Sequence, residues 1–405
     1  MKKSPLIPLF FTVFLDMVGI GVLIPVLPVI LLGNNLVLGA SVPFATRTLI
    51  LGMLLATYPI FQFFGAPLLG AWSDHVGRRK VLFVSLAGTF IGYVLFAVGI
   101  YTNSLALLFV SRALDGFTGG SIAPVMSAIA DISDSRSKAK NFGLVGMAFG
   151  LGFILGPFIG GQLAAFGATV PFIATAVLTL ANISLVAFLL PETLAKKANT
   201  RLSLLTGAKN IVKAFSYHNV RTMLLVSFLS AFGFTFFTQF SQVYMMATFG
   251  YNESQVGNVF AYVGIWIAIT QGLLTRLVAR KYAPPKVLRF ALILLSLSLF
   301  AYVVPRSTLM LLVVMPFIAI GQGLIMPNSA AVISNLAGKD AQGEIMGINQ
   351  SLQALAIAIP PLISGAIVAW NVALPTIVGA AIVFVAWAVF MALYHRHREK
   401  LFVEV

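Results

Sequence analysis

Cysteine is absent from the 405-residue chain, histidine occurs four times, and Asp and Glu together number 11. The first absence excludes disulfide frameworks, thiolate metal sites and cysteine nucleophiles. Charged residues make up 9%, against about 25% in an ordinary soluble domain, so there is too little polar side chain to cover a water-facing surface. Enzyme signatures are missing too: no Gly-x-x-x-x-Gly-Lys phosphate loop, no His-Glu-x-x-His helix and no nucleophile elbow. No enzyme activity, cofactor or metal is expected. His75, His218, His395 and His397 all fall in segments predicted to be cytoplasmic, and the last two, interleaved with Arg396 and Arg398, suit a headgroup-facing terminus.

What the chain has instead is apolar bulk: 59% hydrophobic residues, 34 Phe and a mean hydropathy of +0.99. Its solvent must be largely hydrocarbon. At about 20 residues per crossing, the apolar runs divide into twelve spans near 6–32, 47–72, 81–100, 104–132, 141–166, 171–190, 221–247, 254–276, 287–303, 308–334, 344–368 and 373–394. The first follows Lys2 and Lys3 but runs past Pro28 with no small-residue cleavage site, and so reads as an uncleaved helix.

The formal charge of +15 would suit a nucleic-acid binder if it were spread over a soluble surface. Here, with the amino terminus in the cytoplasm, 23 of the 26 Lys and Arg fall on the cytoplasmic side; Arg47 and Arg306 lie outside and Arg112 lies within a span. This asymmetry predicts a multi-pass membrane protein with both termini cytoplasmic, and no nucleic-acid partner. The short loops favour a bacterial inner membrane.

The longest polar interval, about 191–220, begins Pro191-Glu192-Thr193, carries five Lys and Arg with Arg221 a sixth at its edge, and divides the spans six and six. It reads as a solvated linker facing anionic headgroups. The predicted organisation is an amino-terminal six-helix bundle over 1–192, a basic linker over 193–218 and a carboxy-terminal bundle over 219–405. The halves are weakly repeated: Gly143, Pro157 and Gly161 align with Gly347, Pro361 and Gly365, and Gly70 and Arg78 with Gly272 and Arg280. Repeated halves of this kind place a substrate site at their interface and permit alternating access.

Three motifs stand out. Gly70-Ala71-Trp72-Ser73-Asp74-His75-Val76-Gly77-Arg78-Arg79-Lys80 ends the second span. Gly70 allows close helix approach, Gly77 a tight turn, Asp74 can accept from a helix N-terminus, and the basic residues meet phosphate headgroups. In the fifth span Gly146/Gly150, Gly152/Gly156 and Gly156/Gly160 offer close-packing steps, Pro157 a kink, and Gly161 closes the run. The fourth span carries Arg112-Ala113-Leu114-Asp115-Gly116-Phe117-Thr118-Gly119-Gly120. Intramembrane charges are expensive and usually functional, yet Arg112 and Asp115, three apart on one face, could also neutralise each other locally.

The 70–80 segment resembles the signature loop of the major facilitator superfamily, the fifth-span glycines resemble the antiporter motif of twelve-span drug/proton antiporters, and the Arg112 motif is similar to the fourth-helix motif of those antiporters. Leu15-Asp16 with Gly19-Ile20-Gly21 and Pro25-Val26-Leu27-Pro28, and Ile129-Ala130-Asp131-Ile132-Ser133-Asp134, narrow the resemblance to the tetracycline-exporter branch. It implies an all-α fold of twelve transmembrane helices in two pseudo-symmetric bundles. The chain departs from that branch in having no acid in span 3, no histidine in span 8 and no aspartate in span 9.

Asp16 has no basic residue within a helical turn. Burial disfavours the charged form of a carboxyl group, so Asp16 is a candidate proton carrier, with Arg112 and Asp115 in proton coupling; the alternative is a structural acid satisfied by Arg112 from a neighbouring helix or by Ser/Thr groups. Gly70, Asp74, Gly77, Arg78 and Arg79 form a candidate conformational gate, Asp74 and Arg78 latching near Gly343 and Glu344. Gly152, Gly156, Pro157, Gly160 and Gly161 are the candidate packing residues. Spans 7 to 12 carry no carboxylate apart from Glu344, but many amides, and unpaired amides in hydrocarbon are costly. Candidate cavity residues are Tyr58, Gln62, Gln239, Gln242, Tyr262, Trp266, Asn328, Gln350 and Gln353. The resemblance implies a monomeric proton-coupled exporter of small amphipathic compounds, of multidrug or tetracycline-like type. The alternative is a carrier for an endogenous lipid, metabolite or siderophore without proton coupling.

Overall fold

The computed structural model describes residues 5–33, 37–39, 41–133, 138–194, 206–217 and 220–396, with the side chains of 138–140, 142–143, 338–344 and 393–396 outside that description. Among the described residues 86% are helical and none is in a strand. Helix is the outcome hydrocarbon dictates, because it satisfies every backbone N–H and C=O within one segment. Among the described residues twelve helical stretches are long and apolar enough to cross a membrane: Leu6–Leu32, Phe44–Val76, Arg78–Tyr101, Leu105–Asp131, Leu144–Ala164, Val170–Leu189, Arg221–Phe249, Glu253–Ala279, Pro284–Tyr302, Thr308–Ala337, Ile345–Ile367 and Leu374–Ala392. They are spans 1 to 12 below.

Two compact units divide the chain. One comprises Met1–Thr206 with Asn252–Ala261, the other Gly207–Tyr251 with Tyr262–Val405. In the first unit, a layer of buried aliphatic side chains (Leu9, Val13, Leu82, Leu86, Val125 and Val186 among them) joins the start of spans 1 and 3 to the end of spans 4 and 6. Span 5 lies along span 1 over a glycine stripe: a Cβ at Gly156 or Gly160 would stand within 2.8 Å of the Val18 or Val22 carbonyl oxygen. In the second unit, spans 7 and 12 cross where Gly233 faces Gly379. Span 9 is tied to its neighbours by Ser296 donating to the Ala380 carbonyl at 3.0 Å and Tyr302 donating to the Ser241 carbonyl at 3.1 Å.

Local geometry departs from the sequence expectation in three places. Span 4 is two helices, Leu105–Thr118 and Ile122–Asp131, broken at Gly119–Ser121. The broken backbone is re-satisfied: Ser85 donates to the Thr118 carbonyl, and Gln62 Nε2 donates to the Gly119 carbonyl at 3.0 Å. Span 8 widens into a π-turn over Thr270–Leu274, with Thr275 Oγ1 donating back to the Thr270 carbonyl at 2.9 Å. Gly146 and Gly150 do not pack closely; a Cβ there would meet nothing within 4 Å. Spans 2 and 3 are joined by a single residue, Gly77 at φ +109°, which is the tight turn its sequence position suggested.

Candidate functional site

The break in span 4 builds a buried polar cluster in the first unit. Asp16 lies ten residues into span 1, about 15 Å at 1.5 Å per residue, halfway through a hydrocarbon core of about 30 Å. It is 6% exposed, and its Oδ2 accepts from Ser121 Oγ, the residue that follows the two glycines of the break. On span 4 just before the break, Arg112 (1% exposed) and Asp115 (2%) form an ion pair at 2.7 Å. The self-neutralising local pair foreseen from their spacing therefore exists, and Ser121 rather than Arg112 is the hydrogen-bond donor to Asp16.

The rest of the guanidinium sits among rings. Arg112 Cζ lies 5.7, 5.6 and 5.2 Å from the ring centroids of Tyr58, Tyr93 and Phe96. Such faces favour a cation, but they cannot accept as a carboxylate does, and Arg112 Nε and Nη1 are buried without a hydrogen-bond partner. Tyr93 crosses to span 1, where its hydroxyl occupies the position a Cβ on Gly19 would take, one helical turn beyond Asp16. The Tyr58 hydroxyl lies within 2.5 Å of where a Gly119 Cβ would stand and accepts from Gln62 Nε2 at 3.2 Å. Spans 1, 2, 3 and 4 thus converge on two carboxyl groups and one guanidinium.

A second cluster lies at the turn between spans 2 and 3. Arg78 pairs with Asp74 within the motif, with Asp131 at 3.2 Å from the end of span 4, and donates to Ser73 Oγ at 2.5 Å. Asp74 does not accept from the helix N-terminus. Glu192 does: its carboxylate accepts from the backbone N–H groups of Arg78 at 2.8 Å and Arg79 at 3.3 Å, and from Thr193 and Leu194 at 3.0 and 3.1 Å. The Glu192 carboxyl fills the space a Cβ on Gly77 would occupy. Arg79 donates to the Ala187 carbonyl and Thr193 Oγ1 to Asp131 Oδ2. The first residues after span 6 are therefore clamped to the 2–3 turn. The surroundings of Gly343 and the side chain of Glu344, named above as latch partners, lie outside the described residues, as do the side chains of His218, His395 and His397.

The remaining predicted residues are scattered. Gly152 packs on Phe14 and Met17, while Pro157 and Gly161 pack on the span-8 segment at Glu253 and Gly257; Gly70 meets Ala123 at an ordinary 3.4 Å. Gln242 is fully buried, with Nε2 donating to the Gln239 carbonyl at 2.5 Å and Oε1 unpartnered. Tyr262 and Trp266 lie edge to face at 6.4 Å. Asn328 donates to its own helix at Leu324, and Gln353 ties span 11 to Ser227 of span 7 at 2.8 Å. Gln350 is exposed. Among the described residues no group of three or more His, Asp and Glu could hold a metal ion.

Sequence reasoning did not single out Tyr93, Ser121 or Glu192. Ser121 had a signal: paired glycines inside an apolar span mark a break, and the next polar residue lies at the new helix start. Glu192 had a weaker one, an acid just past a span end. Tyr93 had none.

Twelve spans, a buried charge cluster at mid-membrane depth and a clamped basic turn define the class, a polytopic membrane transporter. The chain belongs to the Major Facilitator Superfamily, whose family model matches residues 9–360 and 223–401. It is 32% identical to the class C tetracycline resistance protein of Escherichia coli over 95% of this chain and 96% of that one. It is 27% identical to multidrug resistance protein 2 of Bacillus subtilis over 96% and 95%. These relatives set it in the drug-efflux branch. The crystal structure of the human organic anion transporter MFSD10 (TETRAN) shares the fold, with a TM-score of 0.72 at 23% identity over 95% of this chain and 98% of that one.

Proposed function

We propose that the protein is a proton-coupled exporter of small amphipathic compounds, of the kind its tetracycline and multidrug resistance relatives are named for, working by alternating access in a bacterial inner membrane with both termini cytoplasmic. The bundles over 1–192 and 219–405 are the moving halves, and 193–218 joins them.

The observation that carries this is the charge count around Asp16. Two carboxyl groups and one guanidinium share a site where all three are at least 94% buried. With both acids ionised, an uncompensated negative charge would remain near mid-membrane, at a cost of several kcal/mol. Arg112 already pairs with Asp115, so the proton belongs on Asp16, which has only a hydroxyl to meet it. When the site opens outward Asp16 takes a proton; when it opens to the more alkaline cytoplasm the proton leaves, and substrate binding favours that loss. Arg112 has unused donors, Nε and Nη1, with which to meet the ionised carboxylate, and Asp115 restrains it otherwise.

Aromatic and amide side chains suit planar, lipophilic compounds that also carry hydrogen-bonding groups. Tyr58, Gln62, Gln239, Gln242, Tyr262, Trp266, Asn328, Gln350 and Gln353 are the proposed lining. The Asp74–Arg78–Asp131 cluster is the latch that holds the cytoplasmic end in one state.

The test is purified protein in liposomes enclosing a pH-sensitive dye, with an imposed proton gradient and a panel of tetracyclines, lipophilic cations, lipids and metabolites. Proton flux triggered by an amphipathic drug supports efflux by antiport. Counterflow of a lipid or metabolite without proton movement overturns it.

A further inference from the structure

Between spans 6 and 7 the chain forms a short helix, Thr206–Ala214, which from Gly207 onward lies within the second unit. One face of it is committed. Gly207 and Ala214 are buried, and Asn210 Nδ2 donates to Ser351 Oγ at 3.1 Å. Ser351 lies on the continuous helix Thr308–Ala358, seven residues past Glu344, the last charged residue before the apolar run of span 11, about 10 Å along the helix axis. Interfacial helices lie about 5–10 Å deep, at the boundary between headgroups and acyl chains. The connections between spans 6 and 7 and between spans 10 and 11, both following an even number of crossings, open on the same side of the bilayer, so the short helix sits at that boundary.

The other face is exposed: Lys209, Val212, Lys213 and Phe215, with Val212 72% and Phe215 73% exposed. Lys209 and Lys213 stand one turn apart, with Val212 and Phe215 along their flank. In water this would be an apolar patch without purpose; at a headgroup boundary both halves of it are matched. Valine and phenylalanine enter the acyl layer while the lysine stems lie along it and carry their ammonium groups up to phosphates. We propose that Thr206–Ala214, with Phe215, is an interfacial anchor that binds anionic phospholipid of the cytoplasmic leaflet. Charge complementarity selects this occupant: the helix belongs to the linker with five Lys and Arg, on the face of the protein predicted to hold 23 of 26 cations, and anionic lipid is the counter-charge there. Fixed to span 11 on one face and to lipid on the other, the helix would make transport sensitive to lipid charge.

The chain's lack of cysteine makes the test direct. Val212→Cys and Phe215→Cys, each in the full chain, provide a single thiol for an environment-sensitive nitrobenzoxadiazole label, read in nanodiscs of phosphatidylcholine with and without phosphatidylglycerol. The expected result is blue-shifted emission, quenched by lipids spin-labelled near the headgroup, with quenching several-fold stronger when phosphatidylglycerol is present. Lys209→Gln should reduce the phosphatidylglycerol increment while leaving the helix folded. Water-like, unquenched emission at both positions in both lipids would overturn the proposal. So would blue-shifted emission that resists lipid quenchers and grows with the number of protein copies per disc, which would assign the face to a second copy. Neither readout depends on transport, so failure here is separable from failure of the efflux proposal.

Discussion

Replacing Glu192 with Ala should loosen the start of span 3, although 114 residues separate Glu192 from Arg78. The first backbone N–H groups of a helix have no intrahelical partner, and at Arg78 and Arg79 the Glu192 carboxylate supplies one, at 2.8 and 3.3 Å. Loss of an N-terminal cap costs about 1 kcal/mol, and loss of a carboxylate from the positive end of a helix about 0.3–1 kcal/mol more. Glu192 is exposed, which holds the second figure to its lower half, for a total near 1.5 kcal/mol. At about 1.4 kcal/mol per tenfold, hydrogen exchange at the amides of residues 78–81 should run about tenfold faster in Glu192→Ala than in wild type. Glu192→Gln, which keeps an acceptor oxygen and loses the charge, should show about threefold. Exchange within twofold of wild type in both variants would refute the capping role. Gly77→Ala should produce the larger defect, because its backbone at φ +109° resists a side chain and the new Cβ would displace the same carboxyl.

Other outcomes follow from single contacts. Arg112→Met should cost about 3–5 kcal/mol by stranding buried Asp115, whereas Arg112→Met/Asp115→Asn should recover most of the thermal stability yet stay uncoupled; a thermal-shift assay alongside proton flux separates the two. Gln62→Ala should lower stability by about 1–3 kcal/mol, since the Gly119 carbonyl at the span-4 break loses its donor. Gly156→Leu should abolish transport and lower the melting temperature by forcing span 5 off span 1, while Gly150→Ala, in open space, should leave both unchanged.

How far the sequence foretold this can be judged residue by residue. All twelve spans were legible because hydrocarbon demands an apolar run of fixed minimum length, and each observed span falls within a few residues of its predicted range, although one helix runs unbroken over Thr308–Ala358 through spans 10 and 11. The Gly152–Gly156–Gly160 stripe was legible as a helix contact, since small residues four apart have few other uses in a membrane. Gly146 and Gly150 have the same spacing and no neighbour, because spacing reports a face but not what lies opposite. Arg112 and Asp115 were readable as a pair from their separation of three. The Ser121–Asp16 contact spans 105 residues and depends on a helix break, and the Glu192 cap depends on where span 6 ends relative to span 3. Such contacts are set by tertiary packing, and local pattern has no access to it. The amides of spans 7 to 11 show the same limit: Gln353 reaches Ser227 and Asn328 bonds to its own helix, fates identical residue types do not distinguish.

Proton coupling through Asp16 is tested most directly by comparing wild type with Asp16→Asn in the same liposomes, using a compound the wild-type protein moves. Counterflow without a gradient should persist in the mutant, and accumulation driven by an imposed pH gradient should vanish. Uphill accumulation by Asp16→Asn at the wild-type level would contradict the assignment and leave Asp16 a buried structural acid held by Ser121.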